Sequence, residues 1–220
     1  MIKILSPESF KSIPWKNGKG TTTELAINPG GTLVQFDWRL SIASVIEDGE
    51  FSDFSGYQRN LILIEGSGID LQHDNHLSDK GKVSKLSECL SYATFDGGSR
   101  TIGSLHNGPI RDFNIMTRTD IFEAQVDTWT TKTQQSFLLQ DLNFIYSLSA
   151  EAQITLEEES SATNLPEGYL AFIDKLSSKP KSTQQLMIAG ENIIFVRLKK
   201  LSPGTCFPNN SKEEPTLESR

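Results

Sequence analysis

The stretch Phe36–Gly66, FDWRLSIASVIEDGEFSDFSGYQRNLILIEG, decides how the chain is read. Its first part alternates: Phe36, Trp38, Leu40 and Ile42 fall on one side, and Asp37, Arg39, Ser41 and Ala43 on the other. A period of two predicts a β-strand with one apolar and one polar face. Glu47-Asp48-Gly49-Glu50 is a turn, and Phe51–Arg59 is a polar run studded with aromatics. Leu61-Ile62-Leu63-Ile64 does not alternate, which predicts a strand covered on both faces. Polar residues this dense beside strands this apolar suggest the wall of a binding cavity.

The same pattern continues outward. Asn28-Pro29-Gly30-Gly31 precedes the stretch and is a strong turn signal, with Thr21–Ile27 reading as the strand before it. Ser6-Pro7-Glu8 suits the start of a short helical turn. Downstream, Ile69 and Leu71 resume the alternation, and His73–Lys85 reads as a polar loop. Tyr92–Phe95 is a short strand, and Thr101–Gly108 looks irregular. In Arg111–Thr117, Phe113 and Ile115 alternate with Asp112 and Asn114; Phe122, Ala124 and Val126 mark another strand. Further strands are expected at Phe137–Leu139, Asn143–Leu148, Ala152–Leu156, Tyr169–Ile173 and Ile193–Leu198. Short strands with turn punctuation predict an all-β barrel or sandwich. Leu61–Leu71 and Phe144–Leu156 both read strand, small polar turn, strand, which fits two related β-barrels.

Composition narrows the function classes. At 36% hydrophobic and 22% charged, the 220-residue chain can bury a core, and its net charge of −7 disfavours a nucleic-acid surface. Cys89 and Cys206 stand far apart, so neither a disulfide framework nor a Cys-type metal site is expected. Met1–Pro7 lacks the apolar core of a signal peptide, and no apolar run approaches the ~20 residues of a membrane span. The expectation is a soluble cytoplasmic protein that does not contact a membrane.

Three blocks carry a family resemblance. They are F-D-W-R-L-S-I-A followed by G-E-F-S-D-F-S-G-Y-x-R; Trp15–Thr22, W-K-N-G-K-G-T-T; and Asp112-Phe113-Asn114-Ile115-Met116 after Gly108-Pro109. In this order and spacing the chain resembles the HutD/Ves family. The resemblance implies an all-β bicupin, two cupin-like barrels in one chain. The division drawn is residues 1–130 for a half carrying the motifs, 131–205 for a second half, and 206–220 for a disordered tail, with strands shared between halves. It also implies a role tied to histidine utilisation or, in the Ves branch, to environmental stress. One block departs from the family, since Lys19 stands where a third glycine is usual.

Candidate ligand-binding residues are Trp15, Asn17, Arg39, Ser41, Ser52, Arg59, Asp112 and Asn114. Arg59 closes a loop rich in hydroxyls and glycine, where a guanidinium can grip a carboxylate with two hydrogen bonds. The bland alternative is a structural tie to Asp53 or Glu50. For Arg39 the alternative is an ion pair with Asp37 or Asp53. Trp15 offers a flat wall, and Asn17 two-way hydrogen bonding. Asp112 can touch ligand or orient an arginine from behind.

No metal and no cofactor are expected. His73 and His76 form an H-x-x-H in a polar segment, short of the three or four ligands zinc needs. His106 reads as a surface-loop residue. Neither Gly66-Ser67-Gly68 nor Gly18-Lys19-Gly20-Thr21 completes a nucleophile elbow or a phosphate loop. The partner that the family resemblance implies is a small anionic metabolite of the urocanate or N-formylglutamate class, bound with a regulatory outcome; a homodimer is compatible but not required. Two rival readings stay open: a cupin enzyme acting on a small carboxylate by isomerisation or oxygenation, and an interaction protein whose cavity is vestigial.

Overall fold

The computed structural model describes residues 2–15, 18, 20–74, 81–157, 159, 161–176 and 184–202. Asn17, Lys19, His76, Cys206 and the expected tail lie outside them. The described residues form nineteen strands and one short 3-10 turn at Pro7–Ser9. In chain order the first are β1 (Ile2–Leu5), β2 (Lys11–Pro14), β3 (Gly20–Ile27), β4 (Trp38–Val45), β5 (Gly49–Glu50) and β6 (Tyr57–Glu65). Next come β7 (Ile69–His73), β8 (Lys82–Leu86), β9 (Tyr92–Asp96), β10 (Thr101–Leu105), β11 (Ile110–Arg118) and β12 (Phe122–Trp129). The last are β13 (Thr133–Leu138), β14 (Leu142–Ser147), β15 (Ala152–Leu156), β16 (Thr163–Leu165), β17 (Leu170–Asp174), β18 (Gln185–Gly190) and β19 (Ile193–Lys200). No helix among the described residues is long and apolar enough to cross a membrane.

Four antiparallel sheets make two barrels. The first pairs the six-stranded sheet β2-β3-β4-β11-β6-β9 with the four-stranded sheet β5-β10-β7-β8. The second pairs the five-stranded sheet β1-β17-β14-β19-β12 with β13-β18-β15-β16. This is the all-β bicupin architecture expected. The chain laces the barrels together, since β1 at the N-terminus pairs with β17, Ile2 opposite Ile173.

The alternating stretch explains why the barrels stack. Trp38, Leu40 and Ile42 on β4 and Phe113 and Ile115 on β11 point out of the first barrel. They meet Phe144, Tyr146, Leu170, Ile194, Val196 and Leu198 on the large sheet of the second. Trp38 lies 4.9 Å from Phe144, centroid to centroid, and Phe144 stacks on Phe172 at 4.7 Å and 6°. The strand expected to be covered on both faces is so covered. Ile62 and Ile64 join this intersheet core, while Leu61 and Leu63 join the interior of the first barrel with Ile69, Leu71 and Ile110.

Three local expectations are corrected. His73–Lys85 is not a loop throughout: β8 begins at Lys82 and pairs antiparallel with β7, Lys82 opposite His73. Thr101–Gly108 is not irregular throughout: β10 forms there, held antiparallel to β7 with Thr101 opposite His73. His73 is not a solvated loop residue. It ends β7, and it is buried with Phe95 at 4.6 Å. Ile69, Leu71 and His73 share one face of that strand, and the two apolar members carry the histidine inward.

Removing a ring from the intersheet core tests this account. Phe144→Ala is expected to cost about 3–5 kcal/mol, the loss typical of a fully buried phenylalanine. For a chain of this length the thermal midpoint should then fall by roughly 6–20 °C. A calorimetric melt with a drop under a couple of degrees would show that the two sheets do not depend on this contact.

Candidate functional site

Since the outward face of β4 and β11 is spent on the second barrel, their polar face lines the interior of the first. Register then sets out the side chains in rows. Met116 is paired with Arg39 on one side and Arg59 on the other. Asn114 lies between Ser41 and Leu61, and Asp112 between Ala43 and Leu63. The two arginines stand two strands apart, roughly 10 Å between backbones.

This face opens on a cavity of about 650 Å³. That is the size of a small-molecule site. Arg39, Ser41, Arg59 and Asn114 line it from the large sheet. Trp15, Phe51, Ser52 and Phe54 close it, and Glu47, Asp48 and Glu50 contribute near its acidic edge. Of the expected residues, then, Trp15, Arg39, Ser41, Ser52, Arg59 and Asn114 border one space. Asp112 does not; it lies fully buried beyond Asn114.

Small residues make the walls possible. A Cβ on Gly103 would lie 2.6 Å from the Phe51 ring, so glycine there lets that ring settle over the cavity. Gly20 does the same for Trp15, whose ring would stand 3.0 Å from an added Cβ. The Trp15 indole N–H donates to Thr22 Oγ1 at 2.8 Å, which fixes the plane of the wall.

The two arginines differ in how their charge is met. Arg39 donates through Nε to Glu24 Oε2 at 2.9 Å, and both side chains are buried. Its partner is therefore neither Asp37 nor Asp53: Asp37 faces Arg118, and Asp53 accepts from the Ser55 N–H and hydroxyl. Glu24 arrives because β3 runs beside β4, with Glu24 opposite Ser41. The alternation of Thr22 and Glu24 with Thr23 and Leu25 carried that signal.

Arg59 has no such partner. Its Nη2 donates to Asn114 Oδ1 at 3.1 Å, and its Nε has no acceptor among the described residues. Glu50, a candidate tie, is bonded to Arg100 instead. Three rings surround the guanidinium, Phe51 at 5.1 Å, Phe95 at 5.2 Å and Phe54 at 5.8 Å. Burial pulls its pKa down to about 10, against the pull of Asp112 in the other direction. It remains a cation at neutral pH.

Behind it, Asn114 acts as a bridge. Its carbonyl faces Arg59, and its amide donates to Asp112 Oδ1 in a short hydrogen bond. Asp112 Oδ2 has no partner among the described residues. Burial pushes the Asp112 carboxyl up to about 7, with Arg59 and the Asn114 amide opposing. His73, also in this barrel, has its pKa lowered by burial and by the charges of Lys82 and Arg59. Its ring nitrogens are engaged by Thr101 Oγ1 at 3.0 Å and Ser84 Oγ at 3.3 Å. His106 contacts Asp70 at 2.7 Å and is not among the residues that line the cavity. Among the described residues no three His, Cys, Asp or Glu side chains converge as a metal group would require.

The chain is 30% identical over 155 residues to a Pseudomonas putida protein described as an uncharacterized 21.2 kDa protein in the hutC 3′ region, covering 70% of this chain and 78% of that one. It is 37% identical over 113 residues to protein Ves of Escherichia fergusonii, a match spanning 51% of this chain and 56% of Ves. Among solved structures, HutD from Pseudomonas fluorescens SBW25, in a formate condition, superposes with a TM-score of 0.73 at 25% identity, over 92% of this chain and all of that one. The family model described as HutD matches residues 7–194, nearly the whole of both barrels, and the chain belongs to the HutD family.

Proposed function

We propose that the first barrel binds a small carboxylate metabolite and that binding, without turnover, is how the protein serves histidine utilisation. One observation carries the reading. Arg59 is a buried cation bordering the cavity, with aromatic walls and, among the described residues, a single neutral hydrogen bond. Burying a guanidinium costs several kcal/mol unless a charged partner repays it. A ligand carboxylate in the cavity would supply that partner, accepting from the donors Asn114 leaves free. Trp15, Phe51 and Phe54 would flank an unsaturated or apolar body, and Ser41 and Ser52 would add hydrogen bonds. Urocanate and N-formylglutamate are the ligands that family membership suggests.

Removing the guanidinium should be costly for binding and mild for folding. A charge-assisted contact is worth about 1.5–3 kcal/mol. Arg59→Ala should therefore weaken carboxylate binding by roughly tenfold to a hundredfold in a calorimetric titration. Unchanged affinity would take Arg59 out of the site, and loss of the folded state would make it a structural residue.

Ligand identity can be read from stabilisation. At a hundred times its Kd a ligand stabilises the native state by about 2.7 kcal/mol. In this chain that is a midpoint rise of roughly 5–10 °C. Urocanate and N-formylglutamate should be tried beside acetate and glutamate. The absence of any selective rise would end this ligand class. A rise accompanied by protein-dependent disappearance of the compound, followed by NMR, would make the protein an enzyme.

A further inference from the structure

The row behind the cavity holds one buried carboxyl, Asp112, that Arg59 balances only across Asn114. Arg39 is already matched by Glu24. Arg59 faces Asp112 through the Asn114 amide and, on the reading above, also faces the ligand carboxylate. Two carboxylates and one guanidinium would leave a net negative charge among buried side chains, which is costly. Asp112 is fully buried, and one of its oxygens has no donor. That oxygen is where a proton can go.

We infer that the cavity takes up a monocarboxylate together with one proton, and that the proton is bound by Asp112. The inference rests on the carboxylate-binding role given to Arg59. In the free protein, above the Asp112 pKa of about 7, the Asp112 carboxylate and Arg59 form a neutral couple bridged by Asn114. When a ligand carboxylate reaches Arg59, the second negative charge raises the proton affinity of Asp112. Oδ2 then takes a proton from solvent, while Oδ1 keeps the Asn114 amide as its donor. The interior stays neutral throughout: the ligand anion balances Arg59, and Asp112 becomes an uncharged acid. A second carboxylate on the ligand would find no further free cation among the described residues of this sheet face, so they suit one carboxylate better than two. Asp112 is thus a positioning residue, since it does not border the cavity.

Other groups could take the proton and are separable. Glu47, Asp48 and Glu50 border the cavity; Glu50 is held by Arg100 and Asp48 accepts the Leu105 N–H, and a slope carried by any of the three would survive Asp112→Asn. On β4 and β3 the Arg39–Glu24 pair is internally balanced. On β11 itself, Arg111 is tied to Glu65 at the exposed edge. On β7, His73 senses Arg59, but its pKa lies below the usual histidine value, so it would act on the acid side. Lys82 on β8 acts on His73, and β10 carries no ionisable side chain.

The sign of the effect follows. Asp112 is already protonated below its free-state pKa of about 7, so affinity should be level there. Above it each bound ligand must bring in a proton, so affinity falls as pH rises, by up to about tenfold per pH unit.

The test is the Kd of the full chain for formate and for urocanate, by NMR titration from about pH 6 to about pH 8.5. Formate is included because it has no other group that titrates in this range. The expected result is a level Kd at the acid end and a rise of roughly tenfold per unit at the alkaline end. Asp112→Asn should flatten the profile, and His73→Gln should leave its alkaline limb in place. Should Asp112→Asn fail to fold, the wild-type Asp112 carboxyl carbon gives the same answer, because its titration midpoint should move to higher pH when formate is added. A pH-independent Kd, an unmoved midpoint, or a slope that survives Asp112→Asn would overturn the inference and leave carboxylate binding intact. If neither compound binds at any pH, the carboxylate reading falls and the inference falls with it.

Discussion

The contact on which everything else depends is the stacking of the two large sheets. Trp38, Leu40, Ile42, Phe113 and Ile115 press on Phe144, Tyr146, Ile194 and Val196. A strand has only two faces. Once the apolar face of β4 and β11 is buried against the second barrel, the opposite face can be polar without costing the protein a core. That is how a barrel wall comes to carry Arg39, Ser41, Asn114 and Asp112 in its interior. Leu61 and Leu63 make the remainder of that interior apolar, and charges beside it are felt more strongly than they would be in water.

The second barrel shows what happens when the same device is closed off. Arg197 on β19 lies over Phe137 at 5.2 Å and Phe195 at 5.3 Å, much as Arg59 lies over its rings. Arg197 also bonds Asp127 at 2.5 Å. Its charge is met within the fold, and it reads as structural. Ring faces return about 0.5–2 kcal/mol each to a nearby cation, which softens the several kcal/mol of desolvation but does not cancel it. In the first barrel the carboxyl that could finish the repayment stands behind an amide. The difference between the barrels is thus one of compensation: Arg197 meets a carboxylate directly, and Arg59 meets one only across Asn114.

Part of this was legible in the sequence for a physical reason. Alternation is local, so strands, their two faces and the doubly buried run Leu61–Ile64 could be read from neighbours two residues apart. The three motif blocks identified the family and the bicupin fold. They also gathered Trp15, Arg39, Ser41, Ser52, Arg59 and Asn114, which the fold brings to one cavity.

Which face points inward is a different kind of fact. It depends on Phe144, Phe172 and Val196, which lie far along the chain and meet β4 only when the barrels stack. The Glu24 partner of Arg39 depends on strand register, and the burial of His73 on β10 closing beside β7. The relay from Asp112 through Asn114 to Arg59 needs β11 and β6 side by side, though Asn114 and Arg59 are 55 residues apart. Period-two spacing determined what each strand could offer, whereas the pairing of distant strands decided which charges were met directly and which only across a neutral side chain.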